Sequence, residues 1–448
     1  MTLILFTILC GWPFDSWPLK APEADQPTFF IEQIEIQSRG RVPEGVILAE
    51  SLLREGQAYT ESQLKSAGQR INRLPFVLES RFQLERGSKR GTYRLVIHLQ
   101  ETRSLFLQAR TEFRHFQGEA PDQTYDITTL GGRWFFGAHN LLYATVSPDW
   151  RWSDASRSRQ ESYALGYSHY NLFRRHVFFD FQLLYFDDHA VEVLNFNLFS
   201  GFRISPVLTV SAPLKGNHFL KVRASLTDSD QDASDTLFQT VESQQRSFPN
   251  GDQETLSLAW HYDTTDDNFA PTQGESFFLD VRRNRIESFS FKLETTDFFQ
   301  ERELLWTSDE RIEYKVWSRY QKQIPWRQRH VLRWAGEFRW SRSEYDRLLR
   351  TQLFEENRLV DEIEESESAN EVLSGLTAEF GYSYDLWGNQ RTRKYGDLRF
   401  DALFSAESVH SDFDVGETSY RSYRLDTQVQ FRNSWGVFGL GVYYTWDD

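Results

Sequence analysis

The 448 residues include one cysteine and one methionine, and no apolar run long enough to cross a bilayer as a helix. A lone cysteine closes no internal disulfide and excludes a cysteine-built zinc site or iron–sulfur cluster. A spanning helix needs roughly 18 or more consecutive apolar residues; the longest apolar window, Thr2 to Pro13, falls short of that. Basic residues are in deficit, 50 Lys and Arg against 65 Asp and Glu, for a net charge of -15. That balance argues against nucleic acid, because neutralising phosphates requires a basic face. Aromatics are not scarce: 37 Phe, 19 Tyr and 14 Trp are too many for a disordered chain. A chain this polar and this aromatic suits an architecture with much surface of both kinds, such as a transmembrane β-barrel with an apolar exterior and a polar lumen.

From residue 103 onward the sequence alternates with a period of two. Val177, Phe179, Phe181, Leu183 and Tyr185 share one face against Asp180 and Gln182. Leu332, Trp334, Gly336, Phe338 and Trp340 oppose Arg333, Ala335, Glu337 and Arg339, and Phe438, Leu440, Val442, Tyr444 and Trp446 form the last such face. Charged residues at every second position suit a hydrated lumen better than a sandwich core. No repeat of roughly 40–50 residues marks a propeller. Polar segments at Asp228 to Asp235, Gln244 to Gln253 and Arg350 to Glu371 are expected to be extracellular loops. Residues 103–448 then divide into sixteen strands, each of about 9–11 residues plus its loop.

Residues 28–102 differ. Phe29, Ile31, Ile34 and Ile36 mark a first strand. Pro43 opens a helix whose apolar residues are Val46, Ile47, Leu48, Leu52 and Leu53, with Glu55-Gly56 ending it. Thr60 caps a second helix with Gln63 as its capping-box partner, and Leu64, Ala67, Ile71 and Leu74 share a face. Pro75 stops that helix, and strands follow at Val77 to Glu85 and Tyr93 to Gln100. This β-α-α-β-β order, with Leu53-Arg54-Glu55-Gly56-Gln57-Ala58-Tyr59-Thr60 followed by Leu74-Pro75-Phe76, resembles a POTRA domain, the periplasmic module of outer-membrane assembly and secretion proteins.

The later segment carries its own resemblance. Tyr262 to Gly274, with Asp263, Asp266, Pro271 and Gly274, is similar to the strand-joining turn of BamA/TamA-like barrels, with Thr265 in place of the usual Arg or Leu. Gly131 to Asn140 resembles an early segment of the same barrels, and Gly439 to Trp446 resembles their terminal strand signal. The family's Arg-Gly-aromatic loop motif has no counterpart: Phe380-Gly381-Tyr382 is the nearest match, with Glu379 where the Arg belongs.

No Gly-x-Ser-x-Gly elbow, phosphate loop or His-Glu-x-x-His helix is present. Asp228, Asp230 and Asp232 have the opening spacing of a calcium loop, but Ala233 occupies the position that requires glycine. The chain is therefore expected to be no enzyme, with no metal or cofactor. Met1 to Cys10 suits the apolar part of a secretory signal. The expected organisation is a signal segment and linker over 1–26, a POTRA domain over 27–102 and an outer-membrane barrel over 103–448.

The resemblance implies a role in inserting or translocating client polypeptides, with two candidate edges. One is the domain's sheet edge along Phe29, Ile31, Ile34 and Ile36. The other is a barrel seam between Leu105, Leu107 and their strand and Val437, Tyr444 and Trp446, where Gly436, Gly439 and Gly441 leave few side-chain contacts. Implied partners are outer-membrane lipid and lipopolysaccharide, unfolded outer-membrane or secreted clients, and periplasmic or lipoprotein accessory subunits. Two alternatives stand beside this: a pore-forming or structural barrel without insertase activity, and a dedicated two-partner-type secretion transporter.

Overall fold

In a computed structural model, residues 27–447 are described, apart from 39, 117–122, 153–157, 191–198, 215, 234–250, 268–270, 296–300, 356–357, 388–396 and 414–415. Cys10 and the expected signal segment lie outside the described residues, as do most of Gln244 to Gln253 and the end of Asp228 to Asp235.

The first unit is a small α/β domain: β1 (Thr28–Ser38), α1 (Glu44–Ser51), β2 (Gln57–Thr60), α2 (Glu61–Asn72), β3 (Val77–Arg86) and β4 (Thr92–Glu101). Its sheet order is β2-β1-β4-β3. The expected β-α-α-β-β order is corrected by β2, whose four residues pair antiparallel with Thr28 to Ile31. Local chemistry accounts for α2: Thr60 Oγ1 accepts from the Gln63 N–H while Gln63 Oε1 accepts from the Thr60 N–H, a complete capping box. Helix α1 ends earlier than expected. Leu52, not the Glu55-Gly56 pair, turns the chain out of the helix with φ 58°, and Gly56 serves the following turn at φ 76°. Ile31, Val46, Ile47, Ile71, Leu95 and Ile97 form the domain's core.

The second unit is the barrel. Its strands are β5 (Leu105–Phe116), β6 (Gln123–Phe136), β7 (Asn140–Trp152), β8 (Ser158–Leu172), β9 (Val177–Ala190), β10 (Phe199–Pro213), β11 (His218–Ala233) and β12 (Gly251–Asp263). They continue with β13 (Gly274–Thr295), β14 (Glu301–Arg327), β15 (His330–Glu355), β16 (Arg358–Asp385), β17 (Asp397–Phe413), β18 (Gly416–Asn433) and β19 (Gly436–Asp447). The barrel closes with fifteen strands among the described residues, correcting the expected sixteen. The estimate failed because it assumed one strand length: β14, β15 and β16 run for 27, 26 and 28 residues. That is well beyond the roughly 9–11 that span a bilayer. For the same reason Arg350 to Glu371, expected as a loop, forms most of the β15–β16 hairpin tip; ladder hydrogen bonds satisfy its backbone regardless of side-chain polarity.

The period of two places the side chains as expected. Phe181, Leu183, Leu258, Trp260, Leu376 and Leu440 are exposed on the outer wall, while Asp180, Ser257, Glu313 and Glu337 are buried on the inner one. An apolar exterior on every strand is the surface a lipid bilayer stabilises. No described helix is long and apolar enough to cross a membrane.

Candidate functional site

Successive barrel strands alternate in direction, so one end carries the connections at 137–139, 173–176, 214–217, 264–273, 328–329, 386–396 and 434–435. The small domain docks into that mouth. Leu74-Pro75-Phe76, the last segment of the pattern on which the expected POTRA resemblance rests, forms its tip. Phe76 is 1% exposed and meets the rings of Phe135 at 5.0 Å and Tyr170 at 6.0 Å, both edge-on. The domain's core thereby extends into the lumenal wall through Leu141, Tyr170 and Phe178.

Polar contacts frame this apolar plug. Buried Arg70 donates to the carbonyls of Glu50, Ser51 (2.5 Å) and Gly216 and to Asn217 Oδ1 (2.9 Å). Burial pulls its guanidinium down to about 10, opposed by the nearby Glu50 carboxylate. Burial also raises Glu50 above the usual carboxylate range, against the pull of Arg73 and Arg70. At the 173–176 turn, His176 Nδ1 lies 3.0 Å from the Ala49 carbonyl and Nε2 lies 3.1 Å from Arg54 Nη2. Arginine only donates, so Nε2 accepts and Nδ1–H donates: this is a neutral ring. Burial lowers its pKa accordingly.

The motif turn between β12 and β13 is the hub of the mouth. Asp263 Oδ1 accepts from the Thr265 N–H (2.8 Å) and hydroxyl (2.7 Å), and the carboxylate pairs with Arg73 at 3.4 Å. Asp266 accepts from the N–H groups of Thr272 (2.8 Å) and Gln273 (3.2 Å). Gly274 stands at φ 109°, where a Cβ would lie 2.4 Å from the Thr264 carbonyl oxygen. The Pro271 carbonyl accepts from Arg399 of β17. Asp267 receives Arg432 of β18 at 2.7 Å, and the other arm of Arg432 donates to the Val77 and Leu78 carbonyls of the small domain. Sequence reasoning singled out Asp263, Asp266, Pro271 and Gly274 but missed Asp267, Arg399 and Arg432. The only signal of Arg399 and Arg432 was charge at strand positions, and that of Asp267 a further acid within the motif turn.

Above the plug lies a cavity of about 670 Å³, lined by Phe76 and Glu50 of the domain and by Tyr143, Asp180, Lys221 and His261 of the wall. Asp180 accepts from Tyr143 (3.0 Å) and Ser168 (2.6 Å). The opposite wall is an ion-pair ladder: Lys315 with Glu313 at 2.8 Å, Arg319 with Glu337 at 3.0 Å and with Glu379 at 2.7 Å, and Arg339 with Glu407 at 3.5 Å. Phe380-Gly381-Tyr382 lies within β16, and Glu379 is a rung of this ladder. Among the described residues no group of His, Cys, Asp or Glu is arranged to hold a metal.

The expected seam residues come together. Strand β19 pairs with β5 from Gly436 opposite Leu107 to Thr445 opposite Phe116, and the pairing is parallel. Leu440, Val442 and Tyr444 face outward; Tyr443, 4% exposed, faces the lumen. The expectation of few side-chain contacts needs correction. A Cβ on Gly441 would meet the Tyr443 ring at 3.0 Å, so the ring covers the glycine, and Arg110 of β5 lies 5.5 Å from its centre across the seam. At the foot, the Arg103 N–H donates to the Ser434 carbonyl (2.8 Å) and its guanidinium stacks 3.6 Å over Trp435. Gly436 lies so close to Leu107 that a Cβ would stand 1.6 Å from the latter's carbonyl oxygen.

The domain's sheet edge is placed differently from its expectation. Phe29 and Ile31 are covered by β2, while β4 lies on the other side of β1 from Phe30 onward. Ile34 and Ile36 lie along the part of β1 beyond β2, where the Ile34 N–H donates to Glu55 Oε1 at 2.9 Å.

Fold and site together define a closed β-barrel with a membrane-type exterior and an α/β domain docked in one mouth. No family model and no curated protein matches the sequence. Among solved structures it is similar to BamA from Haemophilus ducreyi lacking POTRA domains 1-3, at 11% identity and a TM-score of 0.38, over 93% of this chain and 84% of that one. It is likewise similar to CdiB from Acinetobacter baumannii, at 12% identity and a TM-score of 0.43, over 93% and 74%. The ferric-catecholate import receptor Fiu from E. coli K12 matches at 8% identity and a TM-score of 0.35, over 79% and 68%. The likeness is one of barrel architecture and extends no further.

Proposed function

We propose that this chain is an outer-membrane assembly or translocation factor, with its small domain a POTRA module in the periplasm and its barrel seam the place where client polypeptides engage. The observation that carries this reading is the seam. It is the barrel's one parallel strand pair among the described residues, and β19 bears Gly436, Gly439 and Gly441. Parallel pairing is slightly less stable per residue than antiparallel pairing. An opened seam presents unpaired backbone groups that template an incoming strand. The uncovered stretch of β1 along Ile34 and Ile36 offers a second edge for β-augmentation. No covalent chemistry is called for, so no enzyme is proposed.

A second reading is favoured by the plugged mouth and by Glu379, which sits in a strand ion pair where the family's loop motif would place Arg. On that reading the barrel is a pore-forming or structural element, or a transporter dedicated to one secreted partner. Photocrosslinking in cells, with probes at Val437, Gly439 and Leu107, separates the two. Crosslinks to outer-membrane or secreted polypeptides support the client-handling reading; silence at all three in a folded barrel overturns it.

A further inference from the structure

We propose that the lumenal cavity above the docked domain is a binding site for a small organic anion with an apolar body, an aryl or acyl carboxylate by class. The binding groups lie on β11 to β13, away from the seam, and go beyond the client-handling reading. The cavity's volume, about 670 Å³, falls within the roughly 300–1,000 Å³ of small-molecule sites. A hydrated lumen is lined by polar side chains, so rings that face inward call for an explanation. Phe135, Tyr170 and Phe178 have one, because they pack on Phe76 and the domain's core. Phe219 and Phe278 do not: both line the cavity, and neither belongs to that core. The barrel register sets them in one row, with Phe219 of β11 opposite His261 of β12 and His261 opposite Phe278 of β13. The row is an aromatic shelf in the cavity that Phe76 also lines.

The next inward rung carries the charge. Lys221 follows Phe219 on the same face of β11, and its neighbours across the two ladders are Ser211 of β10 and Ala259 of β12. Both are small and neither is acidic. Lys221 has no hydrogen-bond or ion-pair partner among the described residues, whereas Lys315, Arg319 and Arg339 on the opposite wall are all paired. The nearby acids are otherwise engaged. Asp180 accepts from Tyr143 and Ser168, and Asp280, opposite Ala259, pairs with Arg282 at 2.9 Å. Burial holds Glu50 toward its neutral acid, and Arg73 is matched by Asp263. A second cation of the lining, Arg133, lies 4.6 Å over the Phe106 ring with its Nε buried and unbonded. An ammonium one rung from a shelf of rings, with no carboxylate of the protein beside it, is complementary to a ligand with an anionic head and an apolar body. Charge-assisted hydrogen bonds from Lys221 fix the head, and Phe219 and Phe278 cover the body.

The test uses the full chain in phosphatidylcholine nanodiscs, with folding of every variant verified by heat-modifiable gel mobility. Phenylbutyrate, decanoate and the neutral phenylbutanol are titrated by calorimetry, with empty nanodiscs as the blank. The two anions tell an aryl from an acyl source, and the expected result is that at least one of them binds. Lys221→Gln should weaken that anion about tenfold or more and leave phenylbutanol unchanged, whereas Phe219→Ala should weaken both. Lys315→Gln, which removes a paired cation of the opposite wall, should bind like the parent. The inference is overturned if neither anion binds the folded barrel, if phenylbutanol binds as tightly as phenylbutyrate, or if Lys221→Gln binds the anion like the parent. Each of these outcomes leaves the seam crosslinks, and the client-handling reading they test, untouched.

Discussion

Arg432, at the mouth end of β18, holds Asp267 of the β12–β13 turn at 2.7 Å, 165 residues away in sequence. Its other guanidinium nitrogen donates to the carbonyls of Val77 and Leu78, so one side chain ties the motif turn, the barrel wall and the docked domain together. Replacing Arg432 by Ala removes this partner from Asp267 and from two carbonyls in a largely buried place. Breaking a buried pair by removing one partner costs about 3–5 kcal/mol; the partial exposure of Asp267 puts the expected loss near the low end. Limited proteolysis of the small domain measures it, with faster cleavage in Arg432→Ala and an intermediate rate in Asp267→Asn.

The seam glycines are not equivalent. A Cβ at position 436 meets the Leu107 carbonyl oxygen at 1.6 Å, whereas one at 439 meets nothing nearer than Arg110 Cγ at 3.5 Å. Gly436→Ala should therefore force β19 away from β5 and lower the temperature at which the folded barrel converts to the unfolded mobility on gels. Gly439→Ala should stay within about 0.5 kcal/mol of the parent. Equal behaviour of the two variants would refute the register.

Phe76 fills the mouth. Truncation to Ala removes its edge-on contacts with Phe135 and Tyr170 and leaves a void between two units, with an expected loss of about 3–5 kcal/mol. Hydrogen exchange of α1 and α2 reads this directly: protection of both helices should fall while the barrel ladders remain protected. Unchanged protection would mean that the domain does not dock through this tip.

Docking should respond to pH with two opposing signs. His176 is held neutral, with its pKa below the ordinary 6.5. Its contribution is complete above 6.5 and is lost as pH falls through the lowered value. Glu50 is shifted the other way: its contribution is complete below the ordinary 4.5 and is lost as pH rises through its raised value. His176→Gln, which can still donate to the Ala49 carbonyl, should remove the loosening seen on mild acidification. Glu50→Gln should instead tighten docking near neutrality. Protease susceptibility of the domain across the acid-to-neutral range tests both, and a parent-like pH profile in either variant would exclude that residue as the source.

Much of this molecule was written locally. The alternation of Leu440, Val442 and Tyr444 against Gly439, Gly441 and Tyr443 needs only the two-residue period of a strand, and the Thr60–Gln63 box needs only one helical turn. The Asp263-to-Gly274 turn is equally local, since Asp266 caps Thr272 and Gln273 and the carbonyl that makes glycine necessary at 274 belongs to Thr264. Such features depend on neighbours a few residues away, so the sequence by itself determined the strands with an apolar outer face, the helix starts and the motif turn. What only the tertiary structure decided are the quantities set by the whole ring. Fifteen strands, the parallel closure of Gly436 on Leu107, and the length of β14 to β16 depend on how far each ladder propagates, and a polar strand and a polar loop look alike in composition. The insertion of Leu74-Pro75-Phe76 into the mouth and the reach of Arg432 to Asp267 bring together residues far apart in the chain, and no period or cap encodes a contact made only when the barrel closes around its own domain.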